Sequence, residues 1–395
     1  MEIQVRSGDS LFYYSRLFFI PMNLLIDSNP EINTSSLNIG QRVNIPGYVV
    51  ETYPIQKGDT LWKIASSTKL SIDALLLLNQ EMNPNRLLPG ELLNFPVRIR
   101  HPIVQGKRKY NSVLLTQDLK NLKQAYPFIQ VNEIGNSVLG KPLYEIRVGK
   151  GSKRVHLNGS FHANEWITSS VLMTILDTYL FSLVNRQPIR GMNTRLLYDL
   201  TELSLVPMVN PDGVALVIDG PSDEMRDEIV SINNGNQEFT AWKANIHGID
   251  LNNQYPAKWE IEKERKEPKG PASRDYPGGY PLSEPEAVAM AELAKSSLFD
   301  RMLAFHTQGE EFYWGYEGLE PPESQVLATE FERVSEYRGV QYIDSYAGYK
   351  DWFIQEFRRP GFTIELGKGI NPLPLSQFEK IYEEALGIVI ASLYM

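Results

Sequence analysis

The sequence predicts a mixed α/β chain in two parts, with two small β-α-α-β units at the front and a large α/β domain behind them. Three observations carry this reading. A repeat with an offset of 50 residues (Ser7 onward against Lys57 onward) occupies residues 1 to about 98. A stretch mixing proline, glycine and basic residues, VRIRHPIVQGKRKYNS from Val97, follows it and marks a boundary. Beyond it, short apolar runs of strand length alternate with longer helical patterns, which is the signature of a sheet covered on both faces.

SGDSLFYYSRLF aligns with KGDTLWKIASST, and the register holds through Gly8/Gly58, Asp9/Asp59, Leu11/Leu61, Leu25/Leu75, Asn29/Asn79, Asn33/Asn83, Leu37/Leu87, Gly40/Gly90 and Pro46/Pro96. In each copy a short strand (IQVRSG, YPIQKG) enters a Gly-Asp turn. Asp9-Ser10 and Asp59-Thr60 are good helix caps. An apolar helix follows, then a second one through Leu24-Leu25 or from Ile72 to Leu78. An Asn-rich turn leads to a closing strand, RVNIP or LLNFP. On these residues the two units resemble LysM domains, placed at 1–48 and 49–98. The resemblance implies binding of N-acetylglucosamine-containing chains. The first copy is the more unusual, with Phe12-Tyr13-Tyr14 and Phe18-Phe19 in its first helix.

Residues 99–109 read as a linker, in which His101 before Pro102 is a surface residue. In the domain from 110 to 395, Thr116 caps an amphipathic helix. Ile129–Ile134, Pro142–Val148, Arg154–Asn158, Thr201–Val209, Arg301–Phe305 and Gly361–Leu366 read as strands, and Val171–Leu183 and Leu375–Leu393 as helices. Ser283 and Glu286 read as a capping box opening the helix EAVAMAELAK.

Composition narrows the chemistry. The formal charge is −9, and no basic stretch longer than Lys107-Arg108-Lys109 appears, which disfavours a nucleic-acid partner. No run of about 18 apolar residues predicts a membrane-inserted helix. The front end has no basic segment followed by an apolar core, so no signal peptide is expected, and the expected place is cytoplasmic or spore-associated, with release to the cell wall. With no cysteine, a transition-metal site must use His, Asp and Glu, and there are only five histidines.

The pattern FHANEW puts His162 and Glu165 on one side of a turn, three residues apart, between a strand and a helix. A hydrolytic zinc site needs a third ligand, from His101, His156, His247, His306 or another carboxylate. His306 ends an apolar strand, where sites form. His156 lies mid-strand and reads as a packed core residue, and His247 sits in a loop beside Gly248. Glu365, a carboxylate inside the apolar strand GFTIEL, has the surroundings of a proton shuttle with a raised pKa. Lys243 offers a cation for an oxyanion.

FHANEW, VNPDG, WKANIHGIDLNNQY, FHTQGEE, YAGYKDW and FTIELG, in this order, resemble the zinc carboxypeptidase family over roughly residues 108 to 395. The resemblance implies one Zn2+ bound by His162, Glu165 and His306, Glu365 as general base and acid, and Lys243 in place of the arginine that polarises the scissile carbonyl. It implies Asn252 as a grip on the substrate carboxylate and a closing tyrosine, Tyr346, with Tyr349 as the alternative. Two departures stand out. Asn253 replaces the arginine that clamps a free C-terminal carboxylate, and Asn164 replaces the arginine inside the metal motif. Asparagine cannot make a bidentate guanidinium grip. Two LysM units joined to this peptidase type resemble the bacterial γ-D-glutamyl-diamino acid endopeptidases. That resemblance implies a cut between D-glutamate and meso-diaminopimelate or lysine in peptidoglycan stem peptides, with Glu310, Glu311 or Asn253 reading the far end of the diamino acid. A generic LysM-targeted metallocarboxypeptidase is the rival enzyme, disfavoured by the missing arginine. A non-catalytic glycan-binding protein is the rival from another class, disfavoured by the complete metal motif. A glycosidase is the third, and no carboxylate pair has a comparable setting.

Overall fold

The computed structural model describes residues Met1–Met395. The front repeats fold alike. In the first, strand β1 (Glu2–Gln4) pairs antiparallel with β2 (Arg42–Asn44) around helices Leu11–Leu17 and Met22–Asp27. In the second, β3 (Tyr48–Pro54) pairs antiparallel with β4 (Leu92–Arg98) around helices Leu61–Thr68 and Ile72–Leu78. Strand β3 starts earlier than YPIQKG predicts, because Tyr48–Glu51 find partners along an extended β4.

Each repeated polar residue has a local task. Gly8 and Gly58 take φ of 83° and 88°, which a side chain would resist. Asp9 and Asp59 accept the backbone N–H of Arg6 and Gln56, closing the turn. Ser10 and Thr60 cap the helices by accepting from Tyr13 and Lys63 N–H. Asn29 donates to the carbonyls of Leu25 and Asn44 and accepts the Asn44 N–H, and Asn79 does the same with Leu75 and Asn94. One amide thus ties the second helix to the closing strand in both copies.

The chain divides into two compact units. One contains Met1–Ile103 with Leu119–Gln130 and Asp177–Pro188, and the other contains the remaining residues. The larger unit is built on an eight-stranded mixed sheet of β5 (Gln130–Asn136), β6 (Pro142–Gly149), β7 (Lys153–Gly159), β8 (Thr201–Val206), β9 (Arg301–Thr307), β10 (Glu311–Tyr313), β11 (Arg338–Val340) and β12 (Gly361–Leu366). Its order is β11-β10-β12-β9-β7-β8-β6-β5. The central four strands, β12, β9, β7 and β8, are parallel, so their C-terminal ends share one edge. All seven residues of β9 are buried, which requires cover on both faces.

Several elements differ from the sequence reading. The first helix of the large domain starts at Ser112, because Asn111 rather than Thr116 accepts the opening N–H, from Leu114. The capping box at Ser283 does not form. Ser283 Oγ donates to Gln254 instead, and the Glu286 carboxylate accepts from Val138 N–H across the fold. The helix Ile167–Asn185 belongs to a segment, Ala163–Asn185, long and apolar enough by composition to cross a membrane, contrary to the expectation of no such run, but 83% of its apolar window is buried inside this fold.

Candidate metal centre

The parallel strands deliver their groups to one place. After β7, Ser160 turns the chain with a φ of 52°, and Thr168 and Ser169 fix the turn. Thr168 Oγ1 accepts the Ser160 N–H and donates to the Glu165 carbonyl, while Ser169 Oγ meets Ser160 Oγ at 2.7 Å. His162 then caps the short 3-10 turn Ala163–Glu165. In the neighbouring strand β9, His306 arrives one residue before the strand ends.

His162 Nδ1 lies 3.0 Å from Glu165 Oε1, His306 Nδ1 lies 3.0 Å from Glu165 Oε2, and the two Nδ1 atoms are 3.1 Å apart. The three side chains are buried, and their ligand atoms lie within 4.8 Å of one another. Each Nδ1–H could donate to its own Glu165 oxygen, but two protonated ring nitrogens would then face each other at 3.1 Å, a repulsion that a shared cation removes. Two imidazoles and a carboxylate with a position left over are the donor set of a hydrolytic zinc ion, and the residues fit it.

The electrostatics follow from burial and charge. Burial would lower the His162 pKa, but Glu165 and Asp250 outweigh it and raise it to about 9. Burial holds His306 below its ordinary value. Burial would raise Glu165, but the two imidazoles bring it down to about 2. Glu365 stands beside His306 in the parallel register of β12 and β9. Burial, and then the charge of Glu165, pushes its carboxyl up to about 8.

Lys243 Nζ lies 2.9 Å from Asp250 and 3.3 Å from Asp275, so its ammonium is already paired with two carboxylates. Of its three N–H donors, one stays open. Asn252 accepts the Tyr349 N–H through its amide oxygen, which leaves the NH2 to offer. Asn164 and Asn253 are buried, and the Asn164 amide oxygen has no partner. Tyr346 is half-buried, with Lys258 5.2 Å from its ring centroid and Arg265 5.7 Å. Tyr349 is fully buried among Phe161, Tyr255 and Trp352 and bonds the Met290 carbonyl. Glu310 is held by Lys368 and Lys380, and Glu311 by Arg338 and Tyr313, so neither carboxylate is unpaired. His156 is buried, bonded to Ser204 and stacked on Phe299. His247 pairs with Glu284, and His101 is exposed.

Two further residues join the site. Asp250 lies 3.3 Å from His162 Nε2 and anchors Lys243, so it orients a metal-facing imidazole from behind. Asn371 donates to Glu165 Oε1 at 3.3 Å and to the Thr307 carbonyl, and accepts from Thr307 Oγ1. An aspartate between Ile249 and Leu251 was the one available sequence signal for the first; the loop holding Asn371 has none.

A model of the zinc carboxypeptidase family matches residues 115–387, and one of the LysM domain matches twice, at 3–46 and 53–96. The chain belongs to the zinc carboxypeptidase family. It is 54% identical over 397 aligned positions to gamma-D-glutamyl-L-diamino acid endopeptidase 1 of Lysinibacillus sphaericus, covering 100% of both chains. It is 49% identical to an uncharacterized protein of Bacillus subtilis (strain 168), over 74% of this chain and 79% of that one. Among solved structures, thrombin activatable fibrinolysis inhibitor superimposes with a TM-score of 0.59 at 17% identity, covering 87% of this chain and 97% of that one. At that identity the likeness concerns the fold alone.

Proposed function

We propose that this family member is a zinc-dependent peptidoglycan hydrolase that cuts the bond between D-glutamate and the diamino acid of stem peptides, and that its LysM pair holds it on the glycan. The observation that carries the substrate is the match along the full length of both chains, front repeats included, to a relative named for that bond. The missing arginine at Asn253 supports the same reading, because a neutral amide lacks the charge and the bidentate fork with which a guanidinium clamps a free peptide C-terminus.

His162, Glu165 and His306 would hold one Zn2+, which supplies Lewis-acid polarisation and a lowered water pKa when bound. Glu365 takes the proton of the attacking water and returns it to the leaving amine, a task suited to a carboxyl half-buried beside the metal-facing groups. The remaining Lys243 N–H stabilises charge on the carbonyl oxygen, while Asp275 and Asp250 keep the ammonium in place. Asn252, Asn164 and Asn253 offer neutral hydrogen bonds to the stem peptide, and Tyr346 closes over it. The salt bridges of Glu310 to Lys368 and Lys380 favour a role in holding its loop over direct recognition of the diamino acid.

Digestion of purified tri- and tetrapeptide muropeptides, followed by mass spectrometry, tests the reading. Cleavage after D-glutamate is the expected result. Release of D-alanine alone would establish a carboxypeptidase instead, and intact substrate with zinc-loaded protein would leave only the glycan-binding alternative.

A further inference from the structure

We infer that the cleft between the two front repeats is a second ligand site, one that takes a glycan bearing carboxylate or phosphate groups. The cleft has a volume of about 600 Å³. Its walls come from equivalent places in the two copies, the end of the first helix in one (Arg16 to Phe19) and in the other (Thr68 to Ser71), and its floor is β4 with Arg100 beyond it. The front hundred residues carry nine basic and nine acidic side chains, yet four of the nine bases, Arg16, Lys69, Arg98 and Arg100, line this one cavity, and no acid does.

Arg98 is the telling member. Its guanidinium donates to the carbonyls of Phe18 and Val184 and to the Asn185 amide oxygen, and stacks on Tyr48. Every one of these partners is neutral, so its donors are engaged while its charge is left uncompensated. Arg16, Lys69 and Arg100 are exposed and have no ion-pair partner. Basic residues are favoured at helix C-terminal ends, which accounts for Arg16 and Lys69 one at a time. It does not account for two arginines on and after a strand, or for the absence of acids. Phe19, 68% exposed, and half-buried Phe95 add apolar faces of the kind that sugar rings cover. A positive, aromatic-edged cleft fits an anionic saccharide better than the uncharged N-acetylglucosamine chain that a LysM groove is expected to hold. The inference is independent of the metal centre.

Binding of the full-length protein is measured by calorimetry with three probes: a muropeptide carrying stem carboxylates, a glycerol-phosphate oligomer, and a neutral N-acetylglucosamine oligomer. The triple variant Arg16→Ala, Lys69→Ala, Arg100→Ala is compared with the wild type, and circular dichroism checks its fold. The expected result is binding of at least one anionic probe, weakened about tenfold or more in the variant and by added salt, with the neutral probe unaffected. Whichever anionic probe responds identifies the source of the anion. Equal loss for neutral and anionic probes, no loss, or no anionic binding by the wild type would each overturn the inference. Hydrolysis of a glycan-free stem peptide by the wild type reports separately on the proposed activity.

Discussion

Glu286 makes a quantitative claim about stability. Its carboxyl is fully buried near Asp212 and Glu284, with Val138 N–H and Asn245 Nδ2 as its donors. Burial first, and then those two acids against the opposing backbone hydrogen bonds, raises its pKa from 4.5 to about 7. The folded state therefore holds this proton where the unfolded chain has released it. The contribution to stability is complete below pH 4.5 and disappears as pH rises through 7. At about 1.4 kcal/mol per pKa unit, the change between pH 5 and 8.5 amounts to roughly 2–3 kcal/mol. Glu286→Gln keeps an acceptor for Val138 and carries no charge. It gives up the long contact to Asn245 (3.5 Å), a cost of about 1 kcal/mol. Denaturant unfolding of both proteins from pH 5 to 8.5 should show the variant gaining on the wild type by roughly 2–3 kcal/mol over that range, and exceeding it at the alkaline end. Zinc-linked effects are common to both chains and cancel in the difference. A stability difference that stays constant with pH would refute the assignment.

Three other substitutions probe the centre. Glu365→Gln should retain stoichiometric zinc by metal analysis while losing hydrolysis by about 10²-fold or more; an active variant would remove Glu365 from the mechanism. Asp250→Asn should weaken zinc about 10- to 100-fold in a chelator competition, since it relaxes both the His162 ring and the Lys243 ammonium. Gly159→Ala would place a methyl 2.9 Å from Thr168 Oγ1 and 3.2 Å from the Pro207 carbonyl. It should cost about 1–3 kcal/mol in thermal unfolding and loosen the turn that carries His162.

What could be read from the sequence depended on whether a residue works locally. The front repeats were legible because Gly8, Asp9, Ser10 and Asn29 each do a job within a few residues or at the closing strand, and the second copy repeats each job. His162 and Glu165 were legible as a polar pair three residues apart on a turn between a strand and a helix, and His306 as a polar residue ending an apolar strand. Lys243 was visible as a cation, but its two acidic partners were not, because Asp250 and Asp275 reach it only through loop geometry. The expected capping box failed for a related reason. Ser283 has a short-range partner in sequence and a better one in space, Gln254, 29 residues away. Nothing periodic marks Asn371, which meets Glu165 across 206 positions of chain.

The spread of the centre along the chain bears on its biosynthesis. His162 and Glu165 emerge first, His306 more than a hundred residues later, and Glu365 only 30 residues before Met395. During synthesis His162, Glu165 and His306 cannot meet until β9 has paired with β7, and the proposed proton shuttle, Glu365, is absent until β12 joins them. A chain that ends before β12 therefore lacks Glu365 and, on the proposed mechanism, its general base. Its LysM units are already made by then, so a truncated product would retain its glycan anchor without its blade.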